Sequence, residues 1–291
     1  MDTAKEVAEF LTTRRSKVTP AQVGLPAGHG RRVKGLRRSE VATLAGVSVE
    51  YYTRIERGNI RGVSREILGA VADALLLDDA ERAYLVDLAD ASESSRSMRR
   101  ARRPRQSNPK PELQWMLDSI TDAAAFVRNN RIDIVADNAL GRELQREVYD
   151  FAERTGHAPN IARYMFLDPA AREFNRDWGQ LALTTTAILR MEAGRRPDDP
   201  GMQELVGELS TKSQEFRELW AGHDVRIHTS GIKRFRHTEV GDLDLAYESL
   251  DLAGASGWSL TVYVAEPGSP SAERLRLLAS IAASSAQEIL R

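Results

Sequence analysis

The sequence predicts a multidomain chain, an all-α N-terminal half of five helices followed by an α+β half with an antiparallel sheet. Three observations predict it. At 291 residues the chain exceeds the usual size of one domain, and its 42% apolar content can supply each half with a core. Charge divides along the chain: residues 1–110 hold 21 Lys/Arg against 14 Asp/Glu, and the remainder hold 20 against 28. A formal net charge of −1 therefore conceals a basic half joined to an acidic one. Alternating apolar stretches, the signature of strands, fall beyond residue 112. The implied division is 1–91, a basic linker over 92–111, and 112–291.

Several classes are excluded or disfavoured at once. No apolar run approaches the roughly 18 residues that span a bilayer, and Met1 to Phe10 carries Asp2, Glu6 and Glu9 with no apolar signal core. Zero cysteines exclude disulfides, thiolate metal sites and a Cys nucleophile. A soluble cytoplasmic protein without membrane contact is expected.

Val7, Phe10 and Leu11 give a first amphipathic helix over about 3–15, and Thr19 to Gly30, rich in Pro and Gly, reads as a loop. The decisive segment is GLRRSEVATLAGVSVEYYTRIERG, Gly35 to Gly58. Leu36, Val41, Ala42, Leu44 and Ala45 form the apolar face of a short helix, with Ala42 small where two helices cross. Gly46 stands where a tight turn needs positive φ, Val47 plugs the turn, and Ser48 suits an N-cap. On the second helix Tyr52 and Ile55 point inward. Val49, Glu50, Tyr51, Thr53 and Arg54 are left outward, where a helix-turn-helix meets base edges in the major groove. Arg37 and Arg38 before this helix, Ser48 at its start, and Arg57, Asn59 and Arg61 after it are placed to contact phosphates. Residues 28–62 hold eight Lys/Arg and three acids, which suits duplex DNA as partner. Helices over about Ser64 to Leu76 and Asp78 to Ala89 complete the five.

The linker, Ser92 to Pro111, holds five Ser, three Pro, seven basic residues and one acid, so it cannot build a core. Pro104, Pro109 and Pro111 oppose a continuous helix. Its arginines fit two readings, a solvated linker and an arm touching DNA phosphates.

In the second half, Ala124 to Val127 and Ile132 to Ala136 flank Asn129-Asn130 as a hairpin. Residues 138–152, 160–168, 170–194 and Met202 to Ala221 read as helices. Ile232 to His237, Leu243 to Leu252 and Trp258 to Val264 alternate as three successive strands, a meander, and Pro270 to Arg291 closes as a helix. Strand pair, helices, then three strands is the order of a PAS-like sensor fold.

Together these residues carry a resemblance. Leu36 to Ala42, Ala45 to Ser48 and Tyr51 to Gly58 resemble the Xre/Cro-type helix-turn-helix. More closely, the chain resembles the MmyB-like transcription regulators, through Ile161 to Pro169, Phe216 to Ala221 with His223 to Val225, and Tyr263 to Ser269. Ala136-Asp137-Asn138-Ala139 departs from the family pattern, which places an aromatic before the Asn. The resemblance implies a PAS-like ligand-binding and dimerisation domain and a small apolar or amphipathic, fatty-acid-like ligand.

No catalytic constellation is legible. Gly254-Ala255-Ser256-Gly257 falls short of a nucleophile elbow, because Trp258 replaces the second Gly. The five histidines, His29, His157, His223, His228 and His237, lack metal-ligand spacing. No cofactor and no metal are expected. The reading is a non-enzymatic, ligand-responsive repressor binding a pseudo-palindromic operator as a homodimer. A constitutive DNA-binding protein whose second half only dimerises, and an enzyme with its site in 112–291, are the alternatives. Candidate pocket residues are Phe166, Leu183, Phe216, Trp220 and Tyr247 for the ligand body, and Arg190, Arg217 and His237 for an acidic head. Arg190 and Arg217 fit equally an ion pair with Glu192 or Glu218, and His237 a hydrogen-bonded structural role.

Overall fold

The computed structural model describes residues 2–26, 31, 33–94, 108–225 and 229–289. The arginine cluster of the linker, His29 and His228 lie outside these residues. The chain forms two units. The first comprises Met1–Arg102, Arg190–Gln203 and Leu219–Arg226, and the second Arg103–Leu189, Glu204–Glu218 and Ile227–Arg291.

The first unit contains α1 (Thr3–Lys17), α2 (Arg38–Leu44), α3 (Val49–Glu56), α4 (Arg65–Ala74) and α5 (Asp79–Ser94), with a 3-10 turn over Pro20–Val23 in the expected loop. Each start has a chemical cause. The Asp2 carboxylate accepts from Ala4 N–H at 3.0 Å, and the Ser64 hydroxyl from Ile67 N–H at 3.3 Å. Asp78 and Glu81 cap reciprocally at 2.9 and 3.1 Å. Val7, Phe10, Leu11, Leu36, Tyr52, Ile55 and Val71 are fully buried in one core. Leu44, expected inward, is 39% exposed. The inward face of α2 centres between Val41, Ala42 and Ala45, and Leu44 lies roughly 110° round the helix from that centre.

Two stretches from beyond residue 112 pack with the first unit, and Met191 and Val225 join its core. Arg190, 0% exposed, pairs there with Glu6, donates to the Trp220 carbonyl, and approaches His223 Nδ1 at 2.9 Å. Linker composition marks where chain cannot build a core, and says nothing of segments that return later.

The second unit contains α6 (Pro111–Asp118), β1 (Ala124–Arg128), β2 (Ile134–Asp137), α7 (Ala139–Leu144), α8 (Arg146–Thr155), α9 (Ile161–Leu167), α10 (Ala171–Phe174), α11 (Trp178–Arg195), α12 (Pro200–Lys212), α13 (Gln214–Ala221), β3 (Ser230–His237), β4 (Gly241–Asp251), β5 (Ser259–Val264) and α14 (Pro270–Ile289). Of these, α11 belongs to it up to Leu189, α12 from Glu204 and α13 up to Glu218. The strands form one antiparallel sheet in the order β2-β1-β5-β4-β3. The first hairpin is thus joined to the meander through β1 and β5.

Three helices expected to be continuous are broken. The 138–152 helix divides at Gln145, and the 202–221 helix at Ser213, whose hydroxyl accepts from Phe216 N–H at 3.2 Å. The 170–194 helix divides at Asn175 to Asp177, where Asn175 bridges Phe235 and Arg176 N–H donates to the Arg234 carbonyl at 3.0 Å. Helix α6 is an addition. Its Pro111, counted as a breaker, occupies the first helical position, where no N–H is needed.

One sheet face carries Phe126, Leu243, Leu245, Tyr247 and Tyr263 into a core with the helices, and the other packs Ala125, Val127 and Leu260 with Leu117 of α6. Asn138 staples the hairpin. Its side chain accepts from Ala125 N–H at 2.9 Å and Gly141 N–H at 2.7 Å, and donates to the Ile120 and Ala123 carbonyls at 2.6 and 2.8 Å. A Cβ at Gly141 would lie 2.2 Å from the Ala125 carbonyl oxygen, so only glycine fits. Asp137, the departure noted above, accepts from the Tyr149 hydroxyl.

Candidate DNA-reading helix and ligand cleft

The α2–turn–α3 segment folds as its residue types require. Gly46 adopts φ +65°, and the Ser48 hydroxyl accepts from Tyr51 N–H at 3.0 Å. Tyr52 and Ile55 are 0% exposed, which turns the opposite face of α3 outward. There Val49, Glu50 and Arg54 are exposed, and Tyr51 and Thr53 half-buried. The Arg54 guanidinium stacks 4.7 Å from the centre of the Tyr51 ring, a cation–π contact that restrains a long side chain while leaving its donors free to point outward. Arg37, Ser48, Arg57, Asn59 and Arg61 are exposed around it.

Arg38 is differently engaged. Its guanidinium pairs with Glu56, which also takes Arg15 and the Tyr52 hydroxyl while itself 2% exposed. Burial, and then the Glu56 charge, push the Tyr52 hydroxyl well above its ordinary pKa. Arg38 therefore braces α2 against the end of α3 while its side chain stays 45% exposed beside the other arginines suggested for phosphate. Glu56 was missed. Its signal was a carboxylate four residues after inward Tyr52, on the buried face.

In the second unit a cleft of about 450 Å³, its open mouth included, lies between the inner sheet face and α11. Phe126, Ile132, Ile161, Leu181 and Ile188 supply its apolar wall. Thr184 and Thr185 of α11, Ser249 of β4 and Thr261 of β5 add four hydroxyls. Two cations complete it, Arg128 of β1 and Lys233 of β3. Burial, reinforced by the Arg128 charge, lowers the Lys233 pKa to about 8.

Residues 109–278 match the MmyB-like transcription regulator ligand binding domain, and residues 6–85 match a helix-turn-helix domain. The chain belongs to the MmyB-like transcription regulators. Among curated proteins none matches it. Its domain content is that of a DNA-binding transcription regulator with a ligand-binding domain, and no helix among the described residues is long and apolar enough to cross a membrane.

Within this MmyB-like chain the structure redistributes the residues suggested for the pocket. Tyr247 lines the cleft, and its hydroxyl donates to the Ser230 carbonyl at 2.8 Å. Phe166 and Phe216 meet edge to face with ring centres 5.0 Å apart, forming an aromatic cluster with Trp178 and not lining the cleft. Leu183 is half-buried, one helical step away from the cleft-lining Thr184. Arg190 and Trp220 lie in the first unit, with the guanidinium 4.2 Å from the centre of the indole. Arg217 is exposed and donates to the Ser210 carbonyl at 2.9 Å. His237, 1% exposed, is held by backbone on both ring nitrogens: Nδ1 accepts from Glu239 N–H at 3.2 Å, so Nε2 donates to the Glu143 carbonyl at 3.1 Å. Lys233 was missed although it shares a sheet face with Phe235 and His237, two and four residues on.

The first unit also gathers Glu6, Glu9 and His223 within 4.8 Å of one another, the spacing of a metal triad. Arg190 already pairs with Glu6. A guanidinium against the central carboxylate opposes a second cation there, so the group reads as an ion-pair cluster.

Proposed function

We propose that the chain is a ligand-responsive repressor that binds a pseudo-palindromic operator as a cytoplasmic homodimer. The observation that carries this reading is the outward face of α3, where Val49, Glu50 and Arg54 stand exposed beside an inward Tyr52 and Ile55. Arg54 donates twice to a guanine, Glu50 accepts from cytosine N4, and Val49 packs on a thymine methyl. Tyr51 and Thr53 support the same surface, and Arg37, Arg57, Asn59, Arg61 and the Ser48 cap flank it toward phosphates. One such domain reads few base pairs, so a useful specificity ratio calls for two copies on half-sites about one helical turn apart. The ligand is a small amphipathic molecule of fatty-acid type seated in the cleft of the second unit.

Footprinting combined with native mass spectrometry tests the reading. Two protected half-sites with two chains bound are expected, with release on adding a medium-chain acid. One short footprint with a single chain overturns the homodimer. Operator affinity unmoved by every medium- and long-chain acid overturns ligand control and leaves a constitutive DNA-binding protein.

A further inference from the structure

Lys233 carries its ammonium into the cleft from β3. Nζ donates to the Tyr263 hydroxyl at 2.8 Å and lies 5.1 Å and 5.4 Å from the ring centres of Tyr247 and Tyr263. Among the described residues it has no carboxylate partner, and the cleft lining contains no acid. An ammonium withdrawn from water and given one neutral hydroxyl and two ring faces is only partly compensated. Arg128, in the same lining, adds like-charge repulsion. Both penalties disappear when an anion enters. The rest of the wall constrains what the anion carries. Thr184, Thr185, Ser249 and Thr261 present hydroxyls, which both donate and accept. Ser249 and Thr261 share a hydrogen bond at 3.4 Å, so a plain hydrocarbon chain laid along the wall would strip water chiefly from Thr184 and Thr185 and return no hydrogen bond.

We propose that Lys233 anchors the carboxylate of an oxygenated organic acid, a hydroxy- or oxo-acid of medium length, in this cleft. The proposal rests on the ligand-responsive reading above and assigns its head group to a residue outside those suggested by the sequence. The carboxylate accepts from Lys233 Nζ. The body runs between Phe126 and Tyr247 on the sheet side and Leu181 and Ile188 on α11, with its hydroxyl or keto oxygen toward the threonines.

The test uses the full chain with 3-hydroxydecanoate, decanoate and methyl 3-hydroxydecanoate, by isothermal titration. The hydroxy acid should bind best, with its methyl ester at least about tenfold weaker. Lys233→Arg should keep the acid-over-ester preference, whereas Lys233→Met should bind acid and ester within about twofold. Lys233→Met should melt no lower than wild type when unloaded, which separates a lost anchor from a lost fold. Equal binding of acid and ester by the wild type, preference retained in Lys233→Met, or no binding of either acid overturns the anchor. Decanoate binding as tightly as the hydroxy acid overturns the oxygenated body. Operator affinity measured alongside keeps the two readings apart: an acid held through Lys233 that leaves operator binding unchanged sinks ligand control and leaves the anchor standing.

Discussion

Arg190, fully buried in the first unit, and Lys233, half-buried in the second, are both cations drawn away from solvent, and their surroundings are opposite in kind. Arg190 is met by a carboxylate: it pairs with Glu6, donates to the Trp220 carbonyl and lies over the Trp220 ring, with only its buried Nε unpaired among the described residues. Glu6 in turn accepts from the Tyr84 hydroxyl at 2.7 Å. Burial pushes the Glu6 pKa up, but the His223 hydrogen bond, the Arg190 charge and the Tyr84 hydroxyl overcome it and hold the carboxyl at about 2. Lys233 has a hydroxyl and two ring faces, and burial lowers its pKa to about 8. A buried cation supplied with a carboxylate holds segments of one unit together. One supplied only with neutral groups retains the capacity to take an anion from outside. The residue types agree with this division, since a guanidinium keeps its charge and fills several acceptors, whereas an ammonium readily sheds its proton.

The largest effect should come from breaking the carboxylate-paired site. Arg190→Met leaves Glu6 buried without its main counter-ion and should cost about 3–5 kcal/mol in urea denaturation. A loss below about 1 kcal/mol would remove Arg190 from any structural role. The same cluster has an acid limb. Because the Glu6 pKa is lowered from 4.5 to about 2 on folding, its contribution is complete above the unfolded value and lost as pH falls toward 2. Glu6→Gln should therefore flatten the stability profile between those values, whereas a profile as steep as wild type would assign acid sensitivity to other carboxylates.

Two arginines of the helix-turn-helix extend the contrast at intermediate size. Arg38 is paired with buried Glu56, and Arg54, among the described residues, stacks on Tyr51 without a carboxylate. Arg38→Ala should lower folding stability by about 1–3 kcal/mol and weaken specific and random duplex together. Arg54→Ala should leave the melting temperature unchanged and cost about 1–3 kcal/mol on the operator alone. Equal loss on random DNA would turn Arg54 into a phosphate contact.

The smallest effect belongs to Lys233. Its folded pKa lies below the ordinary 10.5, so the unfolded chain binds more protons between about 8 and 10.5, and stability should rise with pH across that window. Lys233→Met should erase the rise. Anion affinity should fall over the same range as the ammonium is lost. Arg128 on β1, Tyr247 on β4 and Tyr263 on β5 are the other titratable groups facing it; burial raises both tyrosines, Tyr247 to about 12 and Tyr263 above that. They stay neutral across the window, so a rise that survives in Lys233→Met would point to a group elsewhere.

The sequence alone determined what depends on neighbours along the chain. The helix-turn-helix was legible because its turn glycine, cap serine and inward Tyr52 and Ile55 act within one short segment, through φ, a local hydrogen bond and helical spacing. The hairpin and meander were legible by alternation and by Asn129, whose side chain accepts from Arg131 and Asp133 N–H groups at 2.8 and 3.0 Å. Breaks at Asn175 and Ser213 were not legible, since the first depends on a strand sixty residues later and the second on one hydroxyl's orientation. Tertiary structure alone decided which charge meets which. Arg190 finds Glu6 across 184 positions, Arg38 finds Glu56 across 18, and Lys233 finds no acid among the described residues. Periodicity reports which face of an element is buried. It carries no information on what lies opposite that face, and the partner opposite is what makes one buried cation a strut and another a binding site.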